Sequence, residues 1–443
     1  MILSSLTIGL LIALVALLIM LSGVPIAFAL GIVSVGSILL FLDPFQFNLL
    51  GEFIYASLND FTMLAIPLFV FMGAIFAGSP ASRDLFDAAQ KWTNRLPGGL
   101  AISSVVASAI FSALSGSSPA TAAAIGKISI PEMKKRGYSN AIATGAIAAG
   151  GTLGILIPPS VVLILYGVAV EESIGKLFVA GVIPGIILTA LFCIWIVIAV
   201  LLEKKGVDVT APEGTKHVVT FGWKDRFASL IKVIPSLLLI IGILFSLYKG
   251  FATPSEAAAV GAILALVLVT IVYRSTTWKN LVNMLLSTTK ESTMILLIIA
   301  FSALLGTVLS FLSVPQDLAN LVIGLDVSKW VVLIAINIFL LFLGFFIPPA
   351  AIILMTAPIL LPIITGLGFD PIWFGIIMTI NMEAGLITPP VGLNLFVVKG
   401  ISSDIPTSDI IKGSMPFVGV MLVTIILLSV FPSIVTWLPN LLF

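Results

Sequence analysis

Long apolar runs separated by short polar segments extend over the whole chain. Most of these runs come close to the roughly 20 residues that a helix needs to cross a bilayer. They cover residues 8–21, 26–42, 61–77, 177–202, 233–248, 257–273, 294–312 and 417–438. About a dozen membrane segments fit this pattern, counting broken and re-entrant ones. The pattern therefore predicts a helical protein that spans the membrane many times.

The composition supports this prediction. Of the 443 residues, 60% are hydrophobic and only 9% are charged, whereas soluble domains are roughly half apolar and a quarter charged. No polar stretch is long enough to form a soluble domain. The fold class is therefore predicted as an all-α polytopic membrane protein. The net charge of +1 gives no reason to expect a nucleic-acid partner.

The basic residues predict the orientation. One threading of the chain places nearly all of them on the cytoplasmic side, as the positive-inside rule prefers. Only Lys176, Lys249 and Lys329 then lie outside, and the amino terminus faces the periplasm. We predict a multi-pass protein of the bacterial cell inner membrane. The cytoplasmic clusters are Arg83, Lys91 and Arg95; Lys127, Lys134, Lys135 and Arg136; Lys204, Lys205, Lys216, Lys224, Arg226 and Lys232; Arg274, Lys279 and Lys290; and Lys399 and Lys412.

Two segments must enter the membrane and return on the same side. Arg95 and Lys134 both face the cytoplasm in this threading, so the apolar stretch between them forms a re-entrant hairpin at about 100–131. Poor helix formers and a proline break its middle at 115–119. A second apolar stretch, broken at 345–349, has no basic residue between Lys329 and Lys399. It predicts a periplasmic hairpin at about 331–364.

Like residues recur at a constant offset of 231 positions. Because the two hairpins enter from opposite sides, the two copies have opposite topology. This is the inverted-repeat plan of secondary transporters. The matched positions are Thr62-Met63 with Thr293-Met294, Pro131 with Pro362, Gly154 with Gly385, and Pro158-Pro159 with Pro389-Pro390.

Each copy also contains a span that is broken by two adjacent prolines. Pro158-Pro159 and Pro389-Pro390 remove backbone donors, so carbonyls upstream of them lose their helical partners. In hydrocarbon such carbonyls need a cation, water or a protein group. Half-helix amino termini supply N–H groups and positive dipole for an anion. The chemistry predicted at these breaks is that of cation and anion cotransport.

These features divide the chain into five predicted regions. The regions are amino-terminal scaffold helices at 1–60; a first inverted repeat at 61–170 that contains the cytoplasmic-side hairpin; scaffold helices at 171–291 with a cytoplasmic loop at about 203–232; a second inverted repeat at 292–398 that contains the periplasmic-side hairpin; and a carboxy-terminal helix at 399–443.

Four strings of residues carry a family resemblance. They are Phe111-Ser-Ala-Leu-Ser-Gly-Ser-Ser-Pro-Ala-Thr-Ala, Gly154-Ile-Leu-Ile-Pro-Pro-Ser, Thr253-Pro-Ser-Glu-Ala-Ala-Ala and Gly385-Leu-Ile-Thr-Pro-Pro-Val-Gly-Leu-Asn. In order and spacing they resemble the large (M) subunit of tripartite ATP-independent periplasmic (TRAP) transporters over nearly the whole chain. The last string is the most specific of the four.

The resemblance implies a function and partners. It implies an elevator-type symporter that couples two or more Na⁺ ions to uptake of a small organic anion such as a C4-dicarboxylate, sialic acid or a related sugar acid. A periplasmic substrate-binding (P) protein would deliver this anion. The scaffold would join a small four-helix membrane (Q) subunit. None of these partners follows from composition or spacing.

The resemblance also implies site residues. The family's sodium sites consist of main-chain carbonyls at hairpin tips and helix breaks, and Thr388 could add its hydroxyl to the second site. The substrate would lie between the two hairpin tips. The first sodium site transfers to Ser112, Ser115, Gly154, Ile157 and Pro159; the second to Gly344, Gly385, Thr388 and Val391; and the substrate-binding positions are Ser117, Ser118, Thr121, Pro348, Pro349 and Asn381.

Three other features of the sequence suggest local roles. Glu383 is an ionisable residue at membrane depth, which indicates either function or an acceptor of N–H bonds that holds the second break together. Thr253 and Glu256 are spaced as a capping box at a helix start. Residues 276–290 carry apolar residues at helical spacing with polar ones between them, which predicts an interfacial helix or a core-packing one.

Other classes of function remain as alternatives. An intramembrane serine protease could use the serines at 115–118, but the only histidine, His217, lies in a charged loop, which leaves only a pairing with Lys127. No phosphate-binding loop supports an ATP-driven pump. A passive channel and a stand-alone divalent-anion sodium symporter without accessory subunits also remain open. We expect a transporter and not an enzyme.

Overall fold

The structure is a computed structural model that describes residues 4–206, 221–325 and 327–443. These residues form helices, turns and loops without any β-strand, which confirms the all-α prediction. Short 3₁₀ segments lie at Phe61–Leu64 and Leu153–Ile155, and a π-helical turn lies at Leu268–Val272. The α-helices are α1 (Ser5–Leu21), α2 (Ile26–Phe41), α3 (Pro44–Asn48), α4 (Leu50–Leu58), α5 (Ala65–Ala77), α6 (Ala81–Thr93), α7 (Gly99–Ser115), α8 (Ser118–Lys135), α9 (Asn140–Thr152), α10 (Val161–Ala169), α11 (Ile174–Gly206), α12 (Trp223–Tyr248), α13 (Pro254–Val267), α14 (Trp278–Phe311), α15 (Val314–Gly324), α16 (Lys329–Gly344), α17 (Pro349–Gly366), α18 (Pro371–Leu386), α19 (Leu393–Ile401), α20 (Thr407–Val430) and α21 (Ser433–Leu442).

Many of these helices have the length and composition of membrane segments. Among the described residues, six helical segments are long and apolar enough to cross a bilayer alone, namely α11, α12, α13 with its π-helical continuation to Val272, α14, α17 and α20. Helix α4 and the segment Phe61–Ala77 reach that length together, with a bend of 59° between them. Large apolar side chains such as Leu10, Leu238 and Ile338 are exposed on the outer surface. Lipid covers such a surface at little cost.

The internal repeat predicted from the sequence is visible in the helix boundaries. Helices α8 and α17 begin 231 residues apart and also end 231 residues apart, and α9 and α18 begin at the same offset. The helix caps repeat as well. Ser139 accepts the N–H of Ile142 at the start of α9, and Asp370 accepts the N–H of Trp373 at the start of α18. Each copy thus contains a hairpin, α7–α8 or α16–α17, followed by a broken span.

The two copies interlock through the half-helices that follow the breaks. Helix α10 of the first copy packs against α17 of the second, and α19 of the second packs against α8 of the first. Tyr166 on α10 donates its hydroxyl to the carbonyl of Pro371 at 2.7 Å. Asn394 on α19 donates from Nδ2 to Ser118 Oγ at 2.8 Å and to the carbonyl of Ala148 at 3.2 Å. This exchange of half-helices brings both hairpin tips to the same region.

The remaining local predictions have mixed outcomes. The capping box is confirmed, because Thr253 Oγ1 accepts the N–H of Glu256 at 3.3 Å and the Glu256 carboxylate accepts the N–H of Thr253 at 2.8 Å. The helix predicted at 276–290 is observed from Trp278 onward as the start of the 34-residue helix α14, and Met284 on it packs against Gly78, which favours the core-packing interpretation. This helix runs through the predicted boundary between 291 and 292. The predicted carboxy-terminal helix consists of α20 and α21.

Part of the predicted cytoplasmic loop at 203–232 cannot be compared. Residues 207–220, which include Lys216 and His217, lie outside the described residues. On the near side, α11 runs to Gly206, and on the far side α12 begins at Trp223.

Candidate functional site

The tip of the first hairpin is a tight turn of small residues. Helix α7 ends where Gly116 takes a left-handed conformation with φ of 58°, and its N–H donates to the carbonyl of Ser112 at 2.8 Å. Residues with a side chain adopt this conformation less readily, and a Cβ atom here would lie only 3.1 Å from the carbonyl oxygen of Pro159, so glycine is favoured. Behind the turn, the hydroxyls of Ser115 and Thr121 lie 2.8 Å apart and join the two arms.

This tip lies directly against the first helix break. A Cβ atom at Gly154 would lie 2.8 Å from the carbonyl carbon of Ser117, so only glycine permits this approach. The carbonyl of Gly154 would bond to residue 158 in a regular helix, but Pro158 has no N–H. The next carbonyl, of Ile155, instead accepts the hydroxyl of Ser160 at 2.6 Å. The break therefore presents backbone oxygens beside the tip.

The second hairpin meets the second break in the same way. A Cβ atom at Gly385 would lie 2.7 Å from the carbonyl oxygen of Gly344. The hydroxyl of Thr388 donates to the carbonyl of Ala384 at 2.6 Å, and its lone pairs remain available to a cation. Val391 lies exposed in the loop that follows Pro390. The Pro158–Pro159 and Pro389–Pro390 peptide bonds are both cis.

The two tips face a common cavity of about 530 Å³. Residues 115–120 of the first tip and 348–350 of the second line it, together with small residues of α5 and polar residues of α14. Helices α8 and α17 both begin at this cavity. No side chain caps either start, and the amides of Ser118, Ala120 and Ala350 belong to the cavity-lining residues.

An anion fits this electrostatic arrangement. The first N–H groups of a helix have no partner within the helix, and they carry partial positive charge. Two such starts converge on one cavity, whose described lining contains one acid, Glu291, and no Lys or Arg. A carboxylate or sulfonate of roughly metabolite size could therefore bind here through N–H groups and hydroxyls.

The structure brings most of the predicted substrate positions together. Ser117, Ser118, Pro348 and Pro349 line the cavity. Thr121 is buried behind the first tip, bonded to Ser115, and is outside the cavity lining. Asn381 is also outside the lining, because its amide donates to the carbonyl and side chain of Asn337 on α16, both at 2.9 Å.

The predicted sodium positions fall into two groups that follow the two breaks. In the first, Ser112 and Ser115 lie on the hairpin arm that ends at the tip, while Gly154, Ile157 and Pro159 belong to the break that packs on it. In the second, Gly344 ends α16 and contacts Gly385. The assignment of ions to these atoms stays a prediction.

Sequence reasoning missed one wall of the cavity. Asn280, Asn283, Ser287 and Glu291 of α14 all line it. They recur at spacings of three and four residues, which is the signature of one helix face. The spacing was visible in the sequence, but it left an interfacial and a core-packing helix open and did not identify a cavity wall.

Glu383 lies away from any hydrogen-bond partner. It is fully buried on α18, two residues before Gly385, and neither carboxylate oxygen accepts a hydrogen bond from a described residue. The N–H bonds that a structural role predicts are therefore not observed.

Comparison with known proteins identifies the family. The family model described as the tripartite ATP-independent periplasmic transporter, DctM component, matches residues 11–434. The chain belongs to this family. A TRAP large permease is a transporter and not an enzyme, and its several spans make it a multi-pass inner-membrane protein.

Relatives of this TRAP permease carry different substrate names. The C4-dicarboxylate TRAP transporter large permease DctM of Pseudomonas aeruginosa is 40% identical over 93% of this chain and 94% of its own length. The sialic acid permease SiaM of Vibrio cholerae is 32% identical over 95% of this chain and 96% of its own. The isethionate permease DctMQ of Oleidesulfovibrio alaskensis is 33% identical over 93% of this chain, which covers 63% of that longer protein.

A solved structure shares the fold of the TRAP permease. The YdaH transporter from Alcanivorax borkumensis superposes with a TM-score of 0.59 at 16% identity, over 88% of this chain and 90% of that one. At this identity the likeness concerns the fold alone.

Proposed function

We propose that this TRAP permease carries a small organic anion into the cell, coupled to an inward flow of sodium ions. The observation that carries the proposal is the convergence of two uncapped helix starts on one cavity without basic side chains. Helix dipoles and unpaired N–H groups stabilise an anion at such a position. The anion lies between the two tips, beside Ser118 and Ala350.

The two breaks supply the sodium sites in this proposal. Sodium prefers oxygen ligands, and each break places backbone carbonyls against a hairpin tip. An ion at each break neutralises part of the anion's charge and orders the tip that contacts it. The coupling thus follows from the contact between Gly154 and the first tip and between Gly385 and the second.

The substrate and partners are proposed from the relatives. Their names include a C4-dicarboxylate, sialic acid and isethionate, which share a carboxylate or sulfonate group. We propose a substrate of this class, delivered by a periplasmic binding protein. We also propose a small four-helix Q subunit as a partner, supported by membership of the TRAP family and by the relative named DctMQ.

An elevator movement fits the interlocked repeats. Because α10 packs on α17 and α19 packs on α8, both tips and both breaks can move as one body. We propose that this body slides against a scaffold to which the α14 wall of the cavity belongs. The anion and sodium ions would cross the membrane with it.

The test is uptake into proteoliposomes that contain the chain with its Q subunit and binding protein. Radiolabelled succinate, N-acetylneuraminate and isethionate form the substrate panel. We expect saturable uptake of at least one anion with an inward sodium gradient and none when potassium replaces sodium. Sodium-dependent uptake without binding protein would favour a stand-alone symporter instead. Uptake at the same rate with and without the sodium gradient and the binding protein would contradict the proposal.

A further inference from the structure

One ionisable side chain lines the cavity between the two hairpin tips. Among its described lining residues, Glu291 of α14 is the only acid and no base accompanies it. No described basic group forms an ion pair with this carboxylate within 4.0 Å. A negative charge facing a site for anions is unfavourable for binding, so its position requires an explanation.

Contacts between α5 and α14 place Glu291 at the depth of the first hairpin tip. A Cβ atom at Gly78 would meet the side chain of Met284, and a Cβ atom at Gly73 would meet the carbonyl oxygen of Ser115. At 1.5 Å per residue, Gly73 lies about 7 Å along α5 from Gly78. Glu291 lies about 10 Å along α14 from Met284. Glu291 and the first tip therefore line the same cavity at similar depth.

A polar stripe connects this carboxylate with one end of the cavity. Ser287, Asn283 and Asn280 continue from Glu291 to the first turn of α14 along the same cavity wall. The basic residues Arg274 and Lys279 predict that this end is cytoplasmic. The stripe thus leads from the anion site toward the cytoplasm.

The internal repeat places another carboxylate at the matching position. Asp60 precedes Glu291 by the same 231 residues and lines a second cavity, of about 440 Å³. That cavity lies before the start of α5, whereas the first reaches Gly78 beyond its end. The two repeat-related acids therefore line two separate cavities, one before the start of α5 and the other at the hairpin tips.

We propose that the carboxylate of Glu291 lowers the affinity of the cytoplasm-facing site for the anion and so promotes release of the anion. This inference rests on the proposed function. When the tips lie opposite α14, the carboxylate repels the bound anion across the cavity. When the tips move away, the repulsion weakens and the anion binds more tightly. The charge thus acts in one state and favours inward transport.

The experiment measures inhibition by substrate inside the vesicles. Proteoliposomes with the complete complex are loaded with graded concentrations of the panel anion that the wild type transports best, and initial uptake of the labelled anion is followed. We expect Glu291→Gln to lower the internal concentration that halves uptake by about threefold to tenfold. Glu291→Asp retains the charge and should resemble the wild type.

A matched control separates local from general electrostatics. Lys290→Gln also removes one charge on α14, but Lys290 does not line the cavity, so inhibition should stay unchanged. If the wild type transports an anion but internal anion inhibits Glu291→Gln no more strongly than the wild type, this inference is overturned while the proposed function stands. If the wild type transports none of the three anions, the proposed function fails, and the inference fails with it.

Discussion

The two repeats share one backbone plan but differ in how deeply they bury their working parts. In the first, the tip residues Ser115 and Gly116 and the break at Pro158-Pro159 are buried. In the second, Phe346 and Pro348 at the tip and residues 390–391 at the break are exposed. Helices α8 and α17 begin and end at equivalent residues, so the difference in burial arises mainly from the neighbours of the hairpins.

Those neighbours can be named. Mid-α5 packs onto the first tip so closely that a Cβ atom at Gly73 would lie 2.5 Å from the carbonyl oxygen of Ser115. Asn394 adds a polar contact from the second repeat to Ser118. At the second break, Thr388 satisfies an upstream carbonyl with its own hydroxyl, whereas its counterpart Ile157 cannot. The tip of the first repeat is thus stabilised by contacts with other helices. The break of the second repeat is stabilised largely by a hydrogen bond within it.

The largest difference is expected from the two close glycine contacts. Gly154→Ala should lower the free energy of unfolding by about 3 kcal/mol, because the enclosed tip cannot move away from the new methyl group. Gly385→Ala should cost about 1 kcal/mol, since the exposed second tip can relax. SDS titration of each purified variant in mixed micelles measures both values.

Gly419→Ala is the control for these variants. A Cβ atom at this position in α20 meets nothing within 4 Å, so the substitution should cause no loss. An equal or larger loss for Gly385→Ala than for Gly154→Ala would contradict the difference in enclosure.

The polar contact between repeats should have the next largest effect. Asn394 corresponds to Leu163 in the first repeat, so Asn394→Leu makes the two copies more alike. It leaves the buried hydroxyl of Ser118 and the carbonyl of Ala148 without this donor, which should cost about 2 kcal/mol. A double-mutant cycle with Ser118→Ala isolates the direct bond. A coupling energy near zero would show that Asn394 does not link the repeats through this contact.

Thr388 distinguishes the two breaks chemically. Thr388→Val removes the hydroxyl that bonds to Ala384, and under the proposed function it also removes an oxygen near the second sodium site. We expect about fivefold weaker apparent sodium affinity in uptake assays, which corresponds to about 1 kcal/mol. Thr388→Ser keeps the hydroxyl and should retain most of the affinity. Unchanged sodium dependence in Thr388→Val would exclude this oxygen from the site.

The smallest effect is expected at an ion pair without a repeat counterpart. Lys134 bonds to Asp404, whereas the equivalent positions are Thr365 and Ser173. The hydrogen bond from Lys134 lowers the pKa of Asp404 below its ordinary value of 3.8. Its stabilising contribution is therefore present at neutral pH and is lost as the pH falls through the lowered pKa.

Unfolding of Asp404→Asn measures this contribution. The variant should be slightly less stable than the wild type at pH 7, because exposed pairs stabilise little. The difference should begin to shrink as the pH falls below 3.8 and vanish below the lowered pKa of Asp404. A difference that grows at acid pH would contradict the sign of this effect.

The sequence predicted those features that depend on local backbone chemistry. Paired prolines, helix-breaking serines and the 231-residue offset located the hairpins and breaks, and the spacing of Thr253 and Glu256 located a helix start. Each of these signals lies within a few residues or recurs in register. Such signals do not depend on which helices pack together in the folded protein.

The sequence did not predict contacts that depend on which helices meet. The polar face of α14 points into the cavity only because α5 and the hairpins surround it, and periodicity alone cannot distinguish a cavity wall from a membrane surface. The bond of Asn394 to Ser118 joins residues 276 positions apart. Thr121 bonds to Ser115 behind the first tip and Asn381 bonds to Asn337 on α16, so neither predicted substrate position lines the cavity.

The most direct test of the central claim is an experimental map of the complex with its Q subunit in the presence of sodium and the transported anion, obtained by cryo-electron microscopy. We predict density for the anion between the two hairpin tips, in contact with the backbone N–H groups that begin α8 and α17. Well-resolved tips with no anion between them, and the anion bound elsewhere, would contradict the account.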